Sequence, residues 1–143
     1  MSCVFGFDVG SRITGVAIGN TFTASARALT TISVREGQPD WPRLDTLHKE
    51  WLPDTLVVGL PLTLEGAEQP ASRRARHFAN QLHERYQLPV VLVDERHSSQ
   101  EAARRFASAR AAGLKRRRDA AAIDAEAAAV ILEHWLAEPS DGH

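Results

Sequence analysis

The stretch VFGFDVGSRITGVAIG, residues 4–19, decides the fold that we predict for this chain. It contains two apolar segments, Val4 to Asp8 and Gly15 to Ile18, separated by a short loop with Gly10 and Ser11. Short apolar segments punctuated by glycine are typical of strands, and a short glycine-bearing loop allows two strands to pair as a hairpin. The chain is therefore predicted to begin with a β-hairpin whose first strand ends in an acidic residue.

The rest of the chain alternates between strand and helix patterns. Further strands are predicted at Thr21 to Ala28, Thr55 to Gly59 and Pro89 to Val93, a loop at Leu60 to Pro70, and helices at Asp40 to Leu52, after a capping Ser72, at Ser99 to Ala112 and at Ala120 to Ala137. The continuous apolar segment at residues 89–93 is typical of a strand that is buried on both faces. This order predicts an α/β fold in which an antiparallel meander is joined to parallel strands by crossover helices.

Length and composition are those of one globular domain. The chain has 143 residues, of which 43% are hydrophobic, so it can bury a core without disulfides. We expect a single domain over residues 1–138 and a flexible tail at residues 139–143. The single cysteine, Cys3, excludes an internal disulfide, and the sequence shows neither a secretion signal nor an apolar segment of about 20 residues. A cytoplasmic protein without contact to the membrane is predicted.

Three acidic residues lie beside apolar sequence. Asp8 ends the first strand, Glu95 follows the strand at residues 89–93, and Asp124 is on the last helix. A carboxylate close to a core is costly unless a cation or hydrogen bonds compensate it, and ligands collect at strand ends in α/β sheets. Carboxylate oxygens suit Mg²⁺ or Mn²⁺, and one or two such ions support phosphodiester hydrolysis. The three acids therefore predict a shared metal site.

Each acid also has a simpler interpretation. Asp8 could close a turn, Glu95 could be a surface carboxylate, and Asp124 could be stabilised by the dipole of its helix. Helical spacing places Asp124 on the same side as Ile131, which predicts that it faces the sheet. Strand alternation leaves open whether Asp94 or Glu95 faces the site.

Basic residues cluster immediately before the last helix. From Arg104 to Arg118 there are seven basic residues and no acidic one. Such a cluster could be a solvated surface, but its position next to the helix of Asp124 favours contact with nucleic-acid phosphates. The candidate nucleic-acid contacts are Arg12, Arg73, Arg74, Arg76, Arg104, Lys115, Arg116, Arg117 and Arg118. The six histidines lack the spacing of metal ligands, so no zinc site is predicted.

Four motifs, in this order, resemble the YqgF family, which is also called RuvX. They are FDVGS at residues 7–11 with GVAIG at 15–19, VVGLPL at 57–62, DER at 94–96 and IDAEAAAVIL at 123–132. The resemblance spans nearly the whole chain. It departs at His97, where we expect an apolar residue after the DER motif.

The resemblance implies an RNase H-like fold, with a mixed five-stranded sheet and helices on both faces, and a metal-dependent nuclease. Members were first regarded as candidate Holliday junction resolvases and are now described as processing the 5′ end of pre-16S ribosomal RNA in bacteria. Carried over by motif, the catalytic and metal-binding acids would be Asp8, Glu95 and Asp124, with Glu95 on a second ion or on water. The partner would be pre-rRNA or branched DNA, and the protein a monomer or a homodimer.

Two other functions are compatible with these motifs. Asp-x-Gly before a glycine-bearing hairpin also resembles the phosphate loop of sugar kinases and actin-like ATPases, but those proteins close two such domains around a nucleotide. A chain of 143 residues supplies one. The other alternative is a catalytically inert RNA-binding factor in ribosome assembly. Cleavage that depends on Asp8 would separate a nuclease from both.

Overall fold

The computed structural model describes residues 3–63, 65–94 and 122–137. Over these ranges the strands are β1 (Cys3–Asp8), β2 (Ile13–Asn20), β3 (Ser25–Arg35), β4 (Gln38–Pro39), β5 (Thr55–Leu60) and β6 (Val90–Asp94), and the helices are α1 (Trp41–Trp51), α2 (Pro70–Tyr86) and α3 (Ala122–Ala137). The strands form one sheet in the order β4-β3-β2-β1-β5-β6. Strands β1 to β4 pair antiparallel, whereas β5 runs parallel to β1 and β6 runs parallel to β5.

The predicted mixed sheet is confirmed, with six strands over the described ranges rather than five. The additional strand, β4, has only two residues and pairs with the end of β3. The turn between them consists of Glu36 and Gly37, which both have positive φ, 50° and 77°. Two such residues in succession are typical of a tight hairpin turn. A two-residue strand carries no periodic pattern, which is why the sequence did not indicate it.

The third strand begins at Ser25, not at Thr21 as predicted. The side-chain oxygen of Asn20 accepts a hydrogen bond from the backbone nitrogen of Phe22 at 2.7 Å. This local bond closes a turn, which an extended strand cannot accommodate. The strand therefore starts later than predicted and continues to Arg35.

The two faces of the sheet carry different cores. One face packs large side chains against α1 and α2, and its buried residues include Phe5, Phe7, Val16, Ile18, Leu44, Phe78 and Leu82. The other face packs against α3, and its buried residues include Val4, Ala17, Val57, Val91, Ala128, Ile131 and Leu132. Successive residues of a regular strand point to opposite faces, so alternation assigns the residues of β1, β2, β5 and β6 to one face or the other. In β3 the register shifts opposite Val16 and Ala17, which interrupts the alternation. Helices on both faces are confirmed.

Helix α1 matches the predicted helix at Asp40 to Leu52. Asp40 precedes it and accepts a hydrogen bond from the backbone nitrogen of Arg43 at 3.2 Å. This bond satisfies one of the first-turn donors that have no partner within the helix. Leu52 ends the helix in the left-handed conformation with φ 50°.

Helix α2 begins at Pro70, so the prediction that Ser72 caps it was wrong. Ser72 lies within the first turn and is fully buried. Its hydroxyl accepts a hydrogen bond from the backbone nitrogen of Gln69 at 3.0 Å and donates one to the carbonyl oxygen of Pro61. Proline tolerates the first helical position because its missing N–H would have no partner there. The serine therefore ties the first turn of α2 to the end of β5.

Helix α3 confirms the predicted last helix over the residues that the structure describes. Ile131 and Leu132 are fully buried. Ala127 and Val130 form a separate buried cluster, so the helix is buried on more than one side. This fits its sequence, AIDAEAAAVILEHWLA, in which most residues are apolar.

Several predicted features lie outside the described residues. They are the helix at Ser99 to Ala112, the basic cluster from Arg104 to Arg118 and the tail at residues 139–143. Within residues 3–63, 65–94 and 122–137, no helix is long and apolar enough to cross a membrane.

Candidate active site

Asp8 is the last residue of β1 and is half-buried. It lies directly opposite Gly15 of β2 in the antiparallel pair. Directly opposite residues project to the same face, and Asp8 also shares that face with Val4, which packs in the core against α3. The carboxylate of Asp8 therefore leaves the sheet on the side covered by α3.

Gly15 brings the start of α3 against the sheet. A methyl group on Gly15 would lie 1.9 Å from the carbonyl oxygen of Asp124 and 2.8 Å from the backbone nitrogen of Ala125. Both distances are far below van der Waals contact, so only glycine permits this approach of strand and helix. Because Gly15 is directly opposite Asp8, the backbone contact makes Asp8 and Asp124 neighbours. The sequence prediction that Asp124 faces the sheet agrees with this placement.

Asp124 is in the first turn of α3 and is half-buried. Burial raises the pKa of its carboxyl group above the ordinary value. The positive end of the helix dipole acts in the opposite direction, since it favours a negative charge. Loss of water on burial is the cause of the raised pKa, and it disfavours the ionised carboxylate.

The packing of β6 shows on which face of the sheet Asp94 lies. Val91 and Val93 pack in the core against α3, whereas Val90 and Leu92 pack against the core on the opposite face. Alternation then places Asp94 on the face of Leu92, away from the side to which Asp8 points. Glu95 lies outside the described residues.

The described residues bring two of the three predicted acids together. Within residues 3–63, 65–94 and 122–137, no group of three or more histidine, cysteine, aspartate or glutamate residues could hold a metal ion. Asp8 and Asp124 are adjacent, and the third predicted ligand is not among these residues. The structure thus places two of the three predicted acids next to each other at the end of β1.

The described basic residues that were predicted to contact nucleic acid differ in their surroundings. Arg12 is exposed in the turn between β1 and β2, and Arg73 and Arg74 are exposed on α2. Arg76 instead donates hydrogen bonds to both carboxylate oxygens of Glu68, with its Nε at 3.0 Å from Oε1 and its Nη2 at 2.8 Å from Oε2. The other predicted contacts, Arg104 and residues 115–118, lie outside the described ranges.

Sequence analysis missed one polar residue close to the site. Thr14 of β2 is fully buried, and its hydroxyl oxygen has no hydrogen-bond partner in the described part of the chain. The available signal was a hydroxyl among the apolar residues of the second strand of the acid-bearing hairpin. The sequence could not indicate whether this hydroxyl had a partner.

The fold is similar to that of RuvC. T. thermophilus RuvC in complex with Holliday junction substrate matches with a TM-score of 0.54 and 18% identity, over 95% of this chain and 94% of that chain. A second Thermus thermophilus RuvC structure gives a TM-score of 0.51 and 17% identity, over 94% and 93% of the two chains. The likeness shows that this chain has the RNase H-like fold of RuvC.

The chain belongs to the RuvX family, described as Holliday junction resolvase, whose sequence profile matches residues 2–138. A relative from Xanthomonas oryzae pv. oryzae (strain PXO99A), with the provisional name pre-16S rRNA nuclease, is 64% identical over 136 residues, which are 95% of this chain and 88% of the relative. A relative of the same name from Xanthomonas axonopodis pv. citri (strain 306) is 63% identical over the same shares. The predicted family and the nuclease class are confirmed.

Proposed function

We propose that this nuclease cleaves precursor 16S ribosomal RNA at its 5′ end and uses Asp8 and Asp124 as active-site acids. The observation that carries the proposal is the backbone contact between Gly15 and Asp124, directly opposite Asp8. It joins acids from the two ends of the chain without relying on a flexible side chain. Acids held by rigid elements in this way are what a preorganised catalytic site requires.

The two carboxylates fit a divalent cation. Burial already disfavours the charge on Asp124, and no described side chain donates a hydrogen bond to it, so a cation would relieve the cost. Asp8 and Asp124 would hold Mg²⁺ or Mn²⁺, and one or two such ions would supply an activated water and stabilise the leaving oxygen. The chain itself would hold both carboxylates in position, in surroundings that are half-buried and partly shielded from water.

We assign the third acid to Glu95. The choice of Glu95 over Asp94 follows from the alternation of β6. Asp94 lies on the opposite face of the sheet and therefore cannot bind the same ion as Asp8. Asp8 lies in a row with Gly59 and Val93, since Phe7 pairs with Val58 and Gly59 pairs with Val93. Two strand spacings give roughly 10 Å between β1, which ends at Asp8, and β6, which ends at Asp94. That separation suits a second ion, or a water held near the substrate, better than an ion shared with Asp8.

The substrate assignment rests on the relatives and on charge. The similar Xanthomonas proteins carry the name of a pre-16S rRNA nuclease. Arg12, Arg73 and Arg74, together with Arg104 and residues 115–118, would neutralise phosphates, giving affinity that falls with salt and carries little sequence information. This substrate implies a cytoplasmic site of action.

A second candidate function is resolution of branched DNA. It is favoured by the description of the RuvX family as Holliday junction resolvase. Cutting two strands of a symmetric junction needs two active sites related by symmetry, whereas trimming one RNA end does not. A homodimer would favour the junction, and a monomer would favour the RNA end.

The test compares cleavage of an end-labelled precursor 16S fragment with cleavage of a four-way DNA junction, each with Mg²⁺ or Mn²⁺. Asp8→Asn is expected to abolish cleavage of the RNA while the circular dichroism spectrum is kept. Asp54→Asn is the matched control, because Asp54 is exposed at the opposite end of the strands, next to the starts of β1 and β5. It should cleave at the wild-type rate.

Each other outcome selects a different function. Cleavage of the junction but not of the RNA would favour the resolvase. Full activity of Asp8→Asn would refute the role of this acid. Binding of the RNA without cleavage of either substrate would favour an inert assembly factor.

A further inference from the structure

The chain between β5 and α2 forms an ordered hairpin. It consists of residues 61–69, apart from residue 64, which lies outside the described residues. Leu62 and Glu68 form an antiparallel bridge. The backbone nitrogen of Thr63 donates to the carbonyl oxygen of Ala67 at 2.9 Å, and the Thr63 hydroxyl oxygen accepts from the backbone nitrogen of Ala67 at 3.0 Å. We call this segment the β5–α2 hairpin.

Two side chains of α2 hold the β5–α2 hairpin against the helix. The Ser72 hydroxyl bonds to both ends of the hairpin, because it donates to the carbonyl oxygen of Pro61 and accepts from the backbone nitrogen of Gln69. Arg76, one turn further along α2, donates to both carboxylate oxygens of Glu68. A hairpin by itself is at best marginally stable in water, so the position of this one depends on such anchors.

The β5–α2 hairpin stands at the end of the sheet that carries Asp8. β5 runs parallel to β1, with Phe7 paired to Val58. Asp8 therefore lies in the row of Gly59, two residues before Pro61. Neighbouring strands are about 4.8 Å apart and two extended residues span at most about 7 Å, so the Cα atoms of Asp8 and Pro61 are within roughly 12 Å. Loops at the carboxyl ends of parallel strands are where α/β proteins bind ligands.

The charge of Arg76 is already paired. Its hydrogen bonds lower the pKa of Glu68 below the ordinary value, so the carboxylate is ionised at neutral pH and the pair carries no net charge. A neutral pair attracts a phosphate less than a free guanidinium does, and freeing Arg76 would break its bonds to both oxygens of Glu68. Arg76 is therefore better suited to hold the hairpin than to bind RNA.

We propose that the β5–α2 hairpin guides the RNA strand past Asp8 and that Arg76 is a positioning residue, which holds the hairpin through Glu68 and does not touch the substrate. The proposal rests on the proposed function, because it concerns the same substrate at the same site. Arg73 and Arg74 on the same helix keep their role as candidates for phosphate contact.

The first test removes each partner of the ion pair in turn. Arg76→Gln and Glu68→Gln change the net charge in opposite directions but release the hairpin alike. Both should lower kcat on the precursor RNA roughly two- to five-fold, the range that an exposed ion pair supplies, with KM and the salt dependence of binding nearly unchanged. If Arg76→Gln flattens the salt dependence and Glu68→Gln tightens binding, Arg76 is a phosphate contact and the proposal is overturned.

A reversed pair and a matched control separate positioning from general stability. Arg76→Glu combined with Glu68→Arg should recover most of the lost kcat, because the pair can form again with its charges exchanged. Arg85→Gln breaks a similarly exposed pair at the other end of α2, where Arg85 and Asp45 are 42% and 36% exposed, against 45% and 44% for Arg76 and Glu68. It should keep the wild-type kcat. No recovery in the reversed pair, or an equal loss in Arg85→Gln, would overturn the proposal.

Hydrogen exchange follows the hairpin without any cleavage. The backbone amides of Thr63 and Ala67 donate within the hairpin, so they should exchange faster in Arg76→Gln and Glu68→Gln than in the wild type and in Arg85→Gln. Faster exchange with an unchanged kcat would overturn the proposal and leave the proposed function intact. A wild type that cuts the four-way junction but not the RNA would contradict the proposed function alone, and the same variants would then be compared on the junction.

Discussion

The two faces of the sheet achieve packing in opposite ways. On the face of α1 and α2, aromatic rings fill the space, with Phe7 and Phe78 in an edge contact at 5.3 Å and Trp41 stacked on Phe78 at 5.9 Å. On the face of α3, glycine and alanine let backbones approach, and a methyl group on Gly6 would lie 2.9 Å from the Cβ of Leu132. Bulk stabilises the domain on one face. Close approach sets the position of an acid on the other.

The largest effect should follow from removing bulk. Phe5 is 1% exposed on the face of α1 and α2, and Phe5→Ala is expected to lower the free energy of unfolding by about 3–5 kcal/mol. Its matched control is Phe22→Ala, because Phe22 is 77% exposed and should cost little. Urea denaturation measures both. Equal losses would mean that this face does not carry the stability of the domain.

A smaller effect on stability but a clear one on catalysis should follow from Gly15→Ala. The added methyl group would meet the carbonyl oxygen of Asp124 at 1.9 Å, so the start of α3 must move. A displacement of about 1 Å at a catalytic group can lower kcat roughly 100-fold. The measurement is single-turnover cleavage of the precursor RNA, with folding followed by circular dichroism.

Gly19→Ala is the control on the same strand and the same face. Its methyl group would meet the Cδ2 atom of Leu132 at 2.9 Å and the carbonyl oxygen of Ser25 at 3.0 Å, so a leucine side chain and the start of β3 must adjust, but the contact at Asp124 is left untouched. It should keep kcat near the wild-type value. A similar loss of kcat in both variants would show that the whole face, and not the contact at Asp124, controls the rate.

The third effect concerns the charge on Asp124. Burial raises the pKa of this carboxyl group in the folded protein. Its contribution to the free energy of unfolding is therefore fully present below the unfolded pKa of about 3.9 and is lost as pH rises through the folded pKa. Without metal, Asp124→Asn should therefore be more stable than the wild type at neutral pH, by less than about 1 kcal/mol because solvent reaches part of the side chain.

Thermal unfolding at pH 3 and pH 7 tests this sign. The difference between Asp124→Asn and the wild type should vanish at the lower pH. Addition of Mg²⁺ or Mn²⁺ should then stabilise the wild type alone, because a ligand that binds only the folded state raises its stability. A variant that is less stable than the wild type at pH 7 without metal would contradict the account of Asp124.

The smallest effect on stability should follow from removing an exposed ion pair between α1 and α2. Arg85 donates hydrogen bonds to Asp45 with its Nε at 2.9 Å and its Nη2 at 2.6 Å, and the Tyr86 hydroxyl donates at 2.7 Å. The pKa of Asp45 is lowered to about 2, mainly by the hydrogen bond from Arg85 and to a smaller extent by the one from Tyr86. The stabilising contribution is present above the unfolded pKa and is lost as pH falls through about 2.

Asp45→Asn should therefore lower stability slightly at pH 7, and the difference from the wild type should shrink in high salt and toward pH 2. Glu50→Gln, at another exposed acid of the same helix, provides the control. A large loss in Asp45→Asn would show that this pair organises the packing of α1 against α2, contrary to the expectation for an exposed pair.

Most of the fold could be predicted from the sequence because strand alternation and helical spacing report which side of an element is buried. The hairpin of β1 and β2, the helix α1 and the inward direction of Asp124 follow from such periodicity. β4 and the late start of β3 could not be predicted, because a two-residue strand has no period and the turn at Asn20 depends on one side-chain bond. Local hydrogen bonds compete with periodicity and leave little trace in it.

The site could be predicted in part. Motifs and apolar context identified Asp8 and Asp124 as candidates, and the structure makes them neighbours. The role of Gly15 was not predicted, since a glycine in a strand indicates a close approach but not the partner that approaches. The missing partner of Thr14 was equally invisible, because satisfaction of a hydroxyl depends on atoms that are distant in the sequence.

The contact at Gly15 has a consequence for how this enzyme can evolve. It involves main-chain atoms of Asp124, so the position of α3 against the sheet does not depend on the side chain at position 124. Mutations that replace the proposed acid can therefore leave the scaffold in place, so a descendant protein could lose this carboxylate and keep its fold.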